Sequence, residues 1–327
     1  MDESNRVFFT SVKHSLSLQH LKLRGNPKLN LDQLVQCLRT LPNLVVLDLS
    51  YSCQGQWPMP LLSCLCESSP PQLTSLNLSG WTLADASVYD LEQTGKICNA
   101  LASALLSLEN LVSLYLNGCV QSAGEFSDVF CSAMGSTLRI VARTLHTFEF
   151  QANALADSRD SRSFIVWSFQ RARILDFSST CFNSNDGWDK ALEASLQIKC
   201  SLHTLRLSGC RTINDAGIDK IARAMAFGSL EELKVLGLDD CRISEEALQR
   251  IAHNLGQQVE ELSVAFNPGS FHSMTNPTQR SPKRRLKTLC MDSHQGELAQ
   301  VKETYFPTLG RGLVWQDGGR IVNTNIF

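Results

Sequence analysis

The sequence predicts an α/β solenoid in which short parallel strands build a concave sheet and helices cover its convex side. Three observations carry the prediction. The pattern L-x-x-L-x-L-x-x-[N/C] returns ten times, most clearly at Leu18-Leu21-Leu23-Asn26, Leu111-Leu114-Leu116-Cys119, Leu202-Leu205-Leu207-Cys210 and Leu233-Leu236-Leu238-Cys241. Looser copies start at Leu44, Leu73, Leu145, Ala172, Val259 and Leu286, with Phe148, Phe150, Phe177, Val264 and Met291 in place of leucine. Successive starts lie 26, 29, 38, 34, 27, 30, 31, 26 and 27 residues apart, an average of about 30 that leaves room for one helix per unit. Between the copies the apolar period changes from two to roughly 3.6, the signature of an amphipathic helix on the return path.

Taken in order, residues 1–17 form an N-terminal cap segment, with Val7 to Leu16 as half a cap, and residues 18–294 form about ten repeats. Return helices are predicted over Leu31-Leu34-Val35-Leu38, Ile218-Ile221-Ala222-Met225 and Ala247-Leu248-Ile251-Leu255. Asn30 with Gln33, Asn214 with Asp215, and Ser244 before Glu245-Glu246 mark their starts, because a short polar side chain there satisfies an amide of the first turn. The third and fourth units are longer than the rest. The insertion Leu83 to Leu108 carries a stripe at Ile97, Leu101, Ala104, Leu105 and Leu108, which lengthens one helix and places a loop at the rim. Phe164 to Phe169 is an apolar run where the fifth unit needs its return helix, and it is read as core. Residues 295–327 form a C-terminal cap whose segment Gly312 to Val322 reads as a hairpin around Asp317-Gly318. One repeat cannot bury its own leucines, so each unit supplies a wall for the next. Ten strands stacked at about 4.8 Å give an arc about 40 to 50 Å long, a curved horseshoe.

The 30 Lys+Arg nearly cancel 32 Asp+Glu, leaving a net charge of -2, so no direct nucleic-acid contact is expected of the chain as a whole. The polar start Met1 to Arg6 has neither a signal-peptide nor a presequence pattern, and no apolar run is long enough to span a bilayer. Twelve cysteines spread along such a chain read as reduced thiols, hence a cytoplasmic or nuclear protein. Cys64 and Cys66 with Cys53 nearby lack zinc spacing, and no metal or cofactor is expected. Seven scattered histidines come without a hydrolase, zincin or phosphate-loop motif, so no catalytic residue is nominated and a non-enzymatic role is expected.

At its motif residues the chain resembles the ribonuclease-inhibitor-like and cysteine-containing leucine-rich-repeat proteins, over about residues 18 to 294. Leu207-Ser208-Gly209-Cys210 followed by Ile213-Asn214-Asp215-Ala216-Gly217-Ile218 looks much like the repeats of F-box substrate receptors. No F-box precedes residue 18, and the third and fourth units exceed the usual length. The resemblance implies a leucine-rich-repeat solenoid that binds a protein or peptide partner on its concave face, as a monomer within a larger complex. It also leaves open a substrate-recognition subunit of a ubiquitin ligase, the C-terminal module of a nuclear chromatin or replication scaffold of the Tonsoku-like kind, and a GTPase regulator. In such families the ninth-position side chains, here Cys119, Cys210 and Cys241 beside Asn26, Asn153 and Asn267, turn inward and are structural.

Strand alternation assigns the concave face. Its middle column runs Lys22, Asp48, Asn77, Tyr115, Glu149, Asp176, Arg206, Gly237, Ser263 and Cys290; its neighbour runs Arg24, Ser50, Ser79, Asn117, Gln151, Ser178, Ser208, Asp239, Ala265 and Asp292. The basic end at His20, Lys22 and Arg24 gives way to an acidic middle at Glu149 and Asp176. Tyr115 beside those acids is the kind of aromatic anchor that binding hot spots favour, and a partner with basic residues is expected there. Separately, Arg280-Ser281-Pro282-Lys283-Arg284-Arg285-Leu286-Lys287 is the strongest charge cluster; Lys283, Arg284, Arg285 and Lys287 are candidates for a nuclear-import signal.

Overall fold

The computed structural model describes residues 3–12, 14–52, 56–68, 70–141, 144–255 and 258–267, and the backbone of three further strands at 288–290, 313–316 and 320–323. The chain divides into two compact units, Met1–Ala172 and Arg173–Phe327.

The first unit runs α1 (Glu3–Val12), β1 (His20–Lys22), α2 (Leu31–Leu38), β2 (Val46–Asp48), α3 (Met59–Glu67), β3 (Ser75–Asn77), α4 (Leu91–Ser107), β4 (Ser113–Tyr115), α5 (Glu125–Val141), β5 (Thr147–Glu149), β6 (Ala154–Leu155) and α6 (Arg159–Arg171). Strands β1 to β5 pair in parallel and in chain order, which brings Leu21, Leu47, Leu76, Leu114 and Phe148 into one line. The second unit runs β7 (Ile174–Asp176), β8 (Cys181–Phe182), α7 (Gly187–Leu196), β9 (Thr204–Arg206), α8 (Asp215–Ala226), β10 (Val235–Gly237), α9 (Glu245–Asn254), β11 (Glu261–Ser263), β12 (Thr288–Cys290), β13 (Leu313–Gln316) and β14 (Arg320–Asn323). Here β7, β9, β10, β11 and β12 are the parallel ladder, while β13 and β14 pair antiparallel.

A strand begins two residues after each of the ten motif starts, from Leu18 before β1 to Leu286 before β12. The architecture is an α/β leucine-rich-repeat solenoid. Its return helices start where the caps predict: Asn30, Asn214 and Ser244 accept from the amides of Gln33, Gly217 and Ala247 at 3.0, 3.1 and 3.3 Å. The stretched third and fourth units differ from the others by helix length, α4 and α5 each having 17 residues. Asp90 and Gln93 close a reciprocal capping box at the start of α4. Phe164 lies buried in the fifth repeat with Phe130, Phe148 and Phe150, their ring centroids 5.0 to 6.0 Å apart, so the run in α6 is core. Full burial of each such side chain contributes about 2 to 3 kcal/mol.

Two further positions make the repeat work. The eighth is left-handed in all nine repeats that are described through it, at Gly25, Tyr51, Gly80, Gly118, Ala152, Ser179, Gly209, Asp240 and Phe266. That kink ends the strand and swings the ninth residue inward. The ninth side chain then reaches the sixth-position carbonyl of the preceding repeat. Within the first unit Ser52 donates to Leu23, Trp81 Nε1 to Leu49 at 2.8 Å, Cys119 Sγ to Leu78 at 3.2 Å and Asn153 Nδ2 to Leu116 at 3.0 Å. Within the second, Cys210 donates to Phe177 at 3.1 Å, Cys241 to Leu207 at 3.0 Å and Asn267 to Leu238 at 2.8 Å. At Leu49, Leu78, Phe177 and Leu207 this bond adds to the turn amide that the same carbonyl already accepts.

Candidate functional site: the exposed face of the repeat sheet

The register of the first unit sets Lys22, Asp48, Asn77, Tyr115 and Glu149 side by side across five strands. Lys22 and Arg24 are exposed, and Tyr115, Asn117 and Glu149 are half-buried. Not all of these side chains are open to a ligand, because the strands are three residues long and the next backbone amide needs an acceptor. Asp48 Oδ1 accepts from Ser50 N, and Asn77 Oδ1 from Ser79 N, both at 3.0 Å. In the next repeats the acceptor comes from the neighbouring strand: Ser79 Oγ takes Asn117 N at 3.2 Å, and Asn117 Oδ1 takes Gln151 N at 2.8 Å. The neighbour column is thus largely structural, with Ser50 and Ser79 buried.

Glu149 is held by its surroundings. Its Oε2 accepts from Asn117 Nδ2 at 3.2 Å and from Gln151 Nε2 at 3.4 Å, which fixes the carboxylate beside Tyr115, its register partner. At the other end of this face Arg24 lies over the ring of Tyr51, its Cζ 5.8 Å from the centroid.

In the second unit three expectations need correction. Asp176 is only 4% exposed: its short side chain folds back to accept from Ser178 N at 2.9 Å, and Arg206 lies across it with Nη1 4.0 Å away. It is not an open acidic contact. Asp239, read as a face residue, bridges repeats, accepting from Ala265 N at 2.7 Å and from Ser263 Oγ at 2.6 Å. Gly237 and Ala265 are buried and offer no contact. Arg206 is exposed, as expected of a face residue. Asp292 and the basic run with Lys283, Arg284, Arg285 and Lys287 lie outside the described residues, as does the side chain of Cys290.

The thiols have the chemistry of packing groups. Burial pushes Cys98, Cys119 and Cys241 up to about 12 and raises Cys210 well above its ordinary value. Cys64 and Cys66, two apart on α3, face different ways, the first buried and the second exposed. Among the described residues no group of three or more His, Cys, Asp and Glu is arranged to hold a metal ion. No described helix is long and apolar enough to cross a membrane. Alkylation of the native protein near pH 8 is expected to label Cys66 and Cys181, which are exposed, and to spare Cys119, Cys210 and Cys241 until the chain unfolds. Mass mapping of the labelled peptides checks this, and fast labelling of Cys119 would contradict the packing.

No protein-family profile and no curated protein matches the sequence. Among solved structures the chain is similar to the leucine-rich repeat-containing protein LegL7 of Legionella pneumophila, with 20% identity, a TM-score of 0.53, and 93% of this chain and 92% of that one covered. More distant matches are a chain of the Rad7–Elc1 complex of yeast, with 13% identity, a TM-score of 0.31 and coverage of 91% and 88%, and an internalin (inlF) of Listeria monocytogenes, with 16% identity, a TM-score of 0.32 and coverage of 83% of both chains. At such identities the likeness to LegL7 is one of fold.

Proposed function

We propose that the protein is a non-catalytic interaction scaffold that binds a protein or peptide partner on the exposed face of its repeat sheet, with a basic side chain of the partner against Tyr115 and Glu149. One observation carries the reading. The Glu149 carboxylate is held in place by Asn117 and Gln151, and Tyr115 stands directly opposite Glu149 in the strand register. A lysine or arginine arriving there meets an ion-pair partner and a ring face together, without first ordering the acceptor. Asp239 and Asp176 have structural tasks instead and are not part of this site. The basic run from Lys283 to Lys287 fits the same reading as an import signal for a scaffold working in the nucleus.

The test is affinity purification from the native cell followed by mass spectrometry, with Tyr115→Ala/Glu149→Gln compared with the unaltered protein. Glutamine keeps an oxygen for Asn117, so the variant should melt like the parent. Its principal partner should bind roughly tenfold or more weakly. Equal recovery of the same partners by both proteins would remove the face from consideration.

A further inference from the structure

We infer that the first unit's sheet face selects an extended peptide of mixed charge, with an acidic side chain against Lys22 and Arg24 and a basic one about five residues away against Tyr115 and Glu149. The basic half rests on the function proposed above. The acidic half and the spacing go beyond it.

The spacing follows from the register. Lys22, Asp48, Asn77, Tyr115 and Glu149 stand on five successive parallel strands. Strands lie about 4.8 Å apart, so about 17 Å separates Lys22 from the gap between Tyr115 and Glu149; an extended chain advancing about 3.3 Å per residue covers that in about five residues.

The floor between the two ends suits a passing chain. Asp48 and Asn77 turn back onto the amides of Ser50 and Ser79, and both serines are buried, so these two columns form a low floor, and the exposed Tyr51 ring over Gly80 is the large group that a passing chain meets beside it. Asp48 stands opposite Lys22 in register. It is one carboxylate against two exposed cations, and neither Lys22 nor Arg24 makes an ion pair among the described residues.

Tyr51 shapes this end of the face. It holds the left-handed eighth position, φ 55°, as Ala152, Ser179, Asp240 and Phe266 do in other repeats, while the two flanking repeats have Gly25 and Gly80. The residue is 46% exposed, and its ring lies over Gly80 and under Arg24. A bulky side chain is disfavoured in that conformation. A glycine there would relax the backbone but leave Arg24 without its ring.

The experiment selects a displayed library of random dodecapeptides on the 327-residue chain and titrates the best synthetic peptide by fluorescence anisotropy. Enriched sequences should carry Asp or Glu about five residues from Arg or Lys. Lys22→Glu/Arg24→Glu should weaken that peptide tenfold or more, and changing the peptide's acid to lysine should recover binding to this variant. Tyr51→Gly should weaken it severalfold without lowering the melting temperature. Enriched peptides lacking the spacing, or affinity indifferent to Lys22→Glu/Arg24→Glu, would overturn the acidic half alone. Affinity indifferent to Glu149→Gln overturns the basic half and the proposed function with it, and a library that yields no binder overturns both.

Discussion

Raising the pH from about 9 to 10 under reducing conditions is expected to remove several kcal/mol of folding stability. The cause is the buried thiols. Cys98, Cys119 and Cys241 are held protonated up to about 12, Cys37 and Cys200 up to about 11, and Cys131 and Cys210 higher than the usual thiol range, in every case chiefly by desolvation. In the unfolded chain the same groups ionise near 9.0. Below that value both states are protonated and the thiols add no pH dependence. Above it the unfolded state releases protons that the folded state keeps, so stability falls until the folded values are reached. Each such thiol contributes a loss of about 1 kcal/mol between pH 9 and 10. Three of them amount to about 3 kcal/mol, a large share of an ordinary domain's 5 to 15. Urea midpoints measured from pH 8 to 10.5 should therefore drop steeply above 9, and Cys119→Ala/Cys241→Ala should show a shallower slope. A flat midpoint across that range would mean the thiols are hydrated.

The repeat was legible because its signal is additive. A single L-x-x-L-x-L is common, but ten copies at spacings near 30 fix strand, turn and helix together, and each strand begins two residues after its motif start. Ninth-position chemistry was legible only in part. Asparagine and cysteine there stand out by letter, whereas Ser52 and Trp81 do not, although both donate to the same carbonyl of the preceding repeat. What the site requires is a donor of suitable reach, a property that several side chains share. The left-handed eighth position was hidden for a similar reason. Glycine occupies it at Gly25, Gly80, Gly118 and Gly209, yet Tyr51, Ala152, Ser179, Asp240 and Phe266 adopt the same backbone because the neighbours over-determine it.

The face was less legible than the fold. Period-two alternation tells which side chains leave the sheet on the open side, but not which of them are claimed by the backbone. Asp48, Asn77 and Asp176 each accept from the amide two residues on, at 3.0, 3.0 and 2.9 Å. A strand of three residues ends before its last amide finds a ladder partner, and a short Asp or Asn can reach back to it. Glu149 and Lys22 have longer stems, which is why the candidate contacts narrow to the longer side chains. An Asx rule applied at the fifth motif position would have separated Asp176 from Glu149 without coordinates.

Asn153→Ala should lower stability by about 3 kcal/mol, as much as truncating a buried leucine. Asn153 is buried. Its Oδ1 accepts from Val120 N at 2.7 Å, and its Nδ2 donates to Leu116 O and Gln151 O at 3.0 Å each. Alanine leaves the Val120 amide and the Leu116 carbonyl unmatched in a dry site, each costing about 1 to 3 kcal/mol and partly relieved by relaxation, while Gln151 O keeps the Gly118 amide at 2.7 Å. Cysteine is the informative comparison, since Cys119 occupies the same position one repeat earlier and donates to Leu78 O. There the amides of Leu83 and Ala84 donate to the Cys119 carbonyl at 3.0 and 3.2 Å, so no side-chain acceptor is needed. At residue 153 the thiol can restore the bond to Leu116 O but not the acceptor for Val120 N. Asn153→Cys should therefore recover about half of what Asn153→Ala loses, and Asn153→Asp, which keeps the acceptor but buries a charge without its donor, should not. Guanidinium unfolding of the three variants measures the order directly. Equal losses for alanine and cysteine would mean that the bond between repeats is worth nothing net, and that the ninth position is chosen for volume alone.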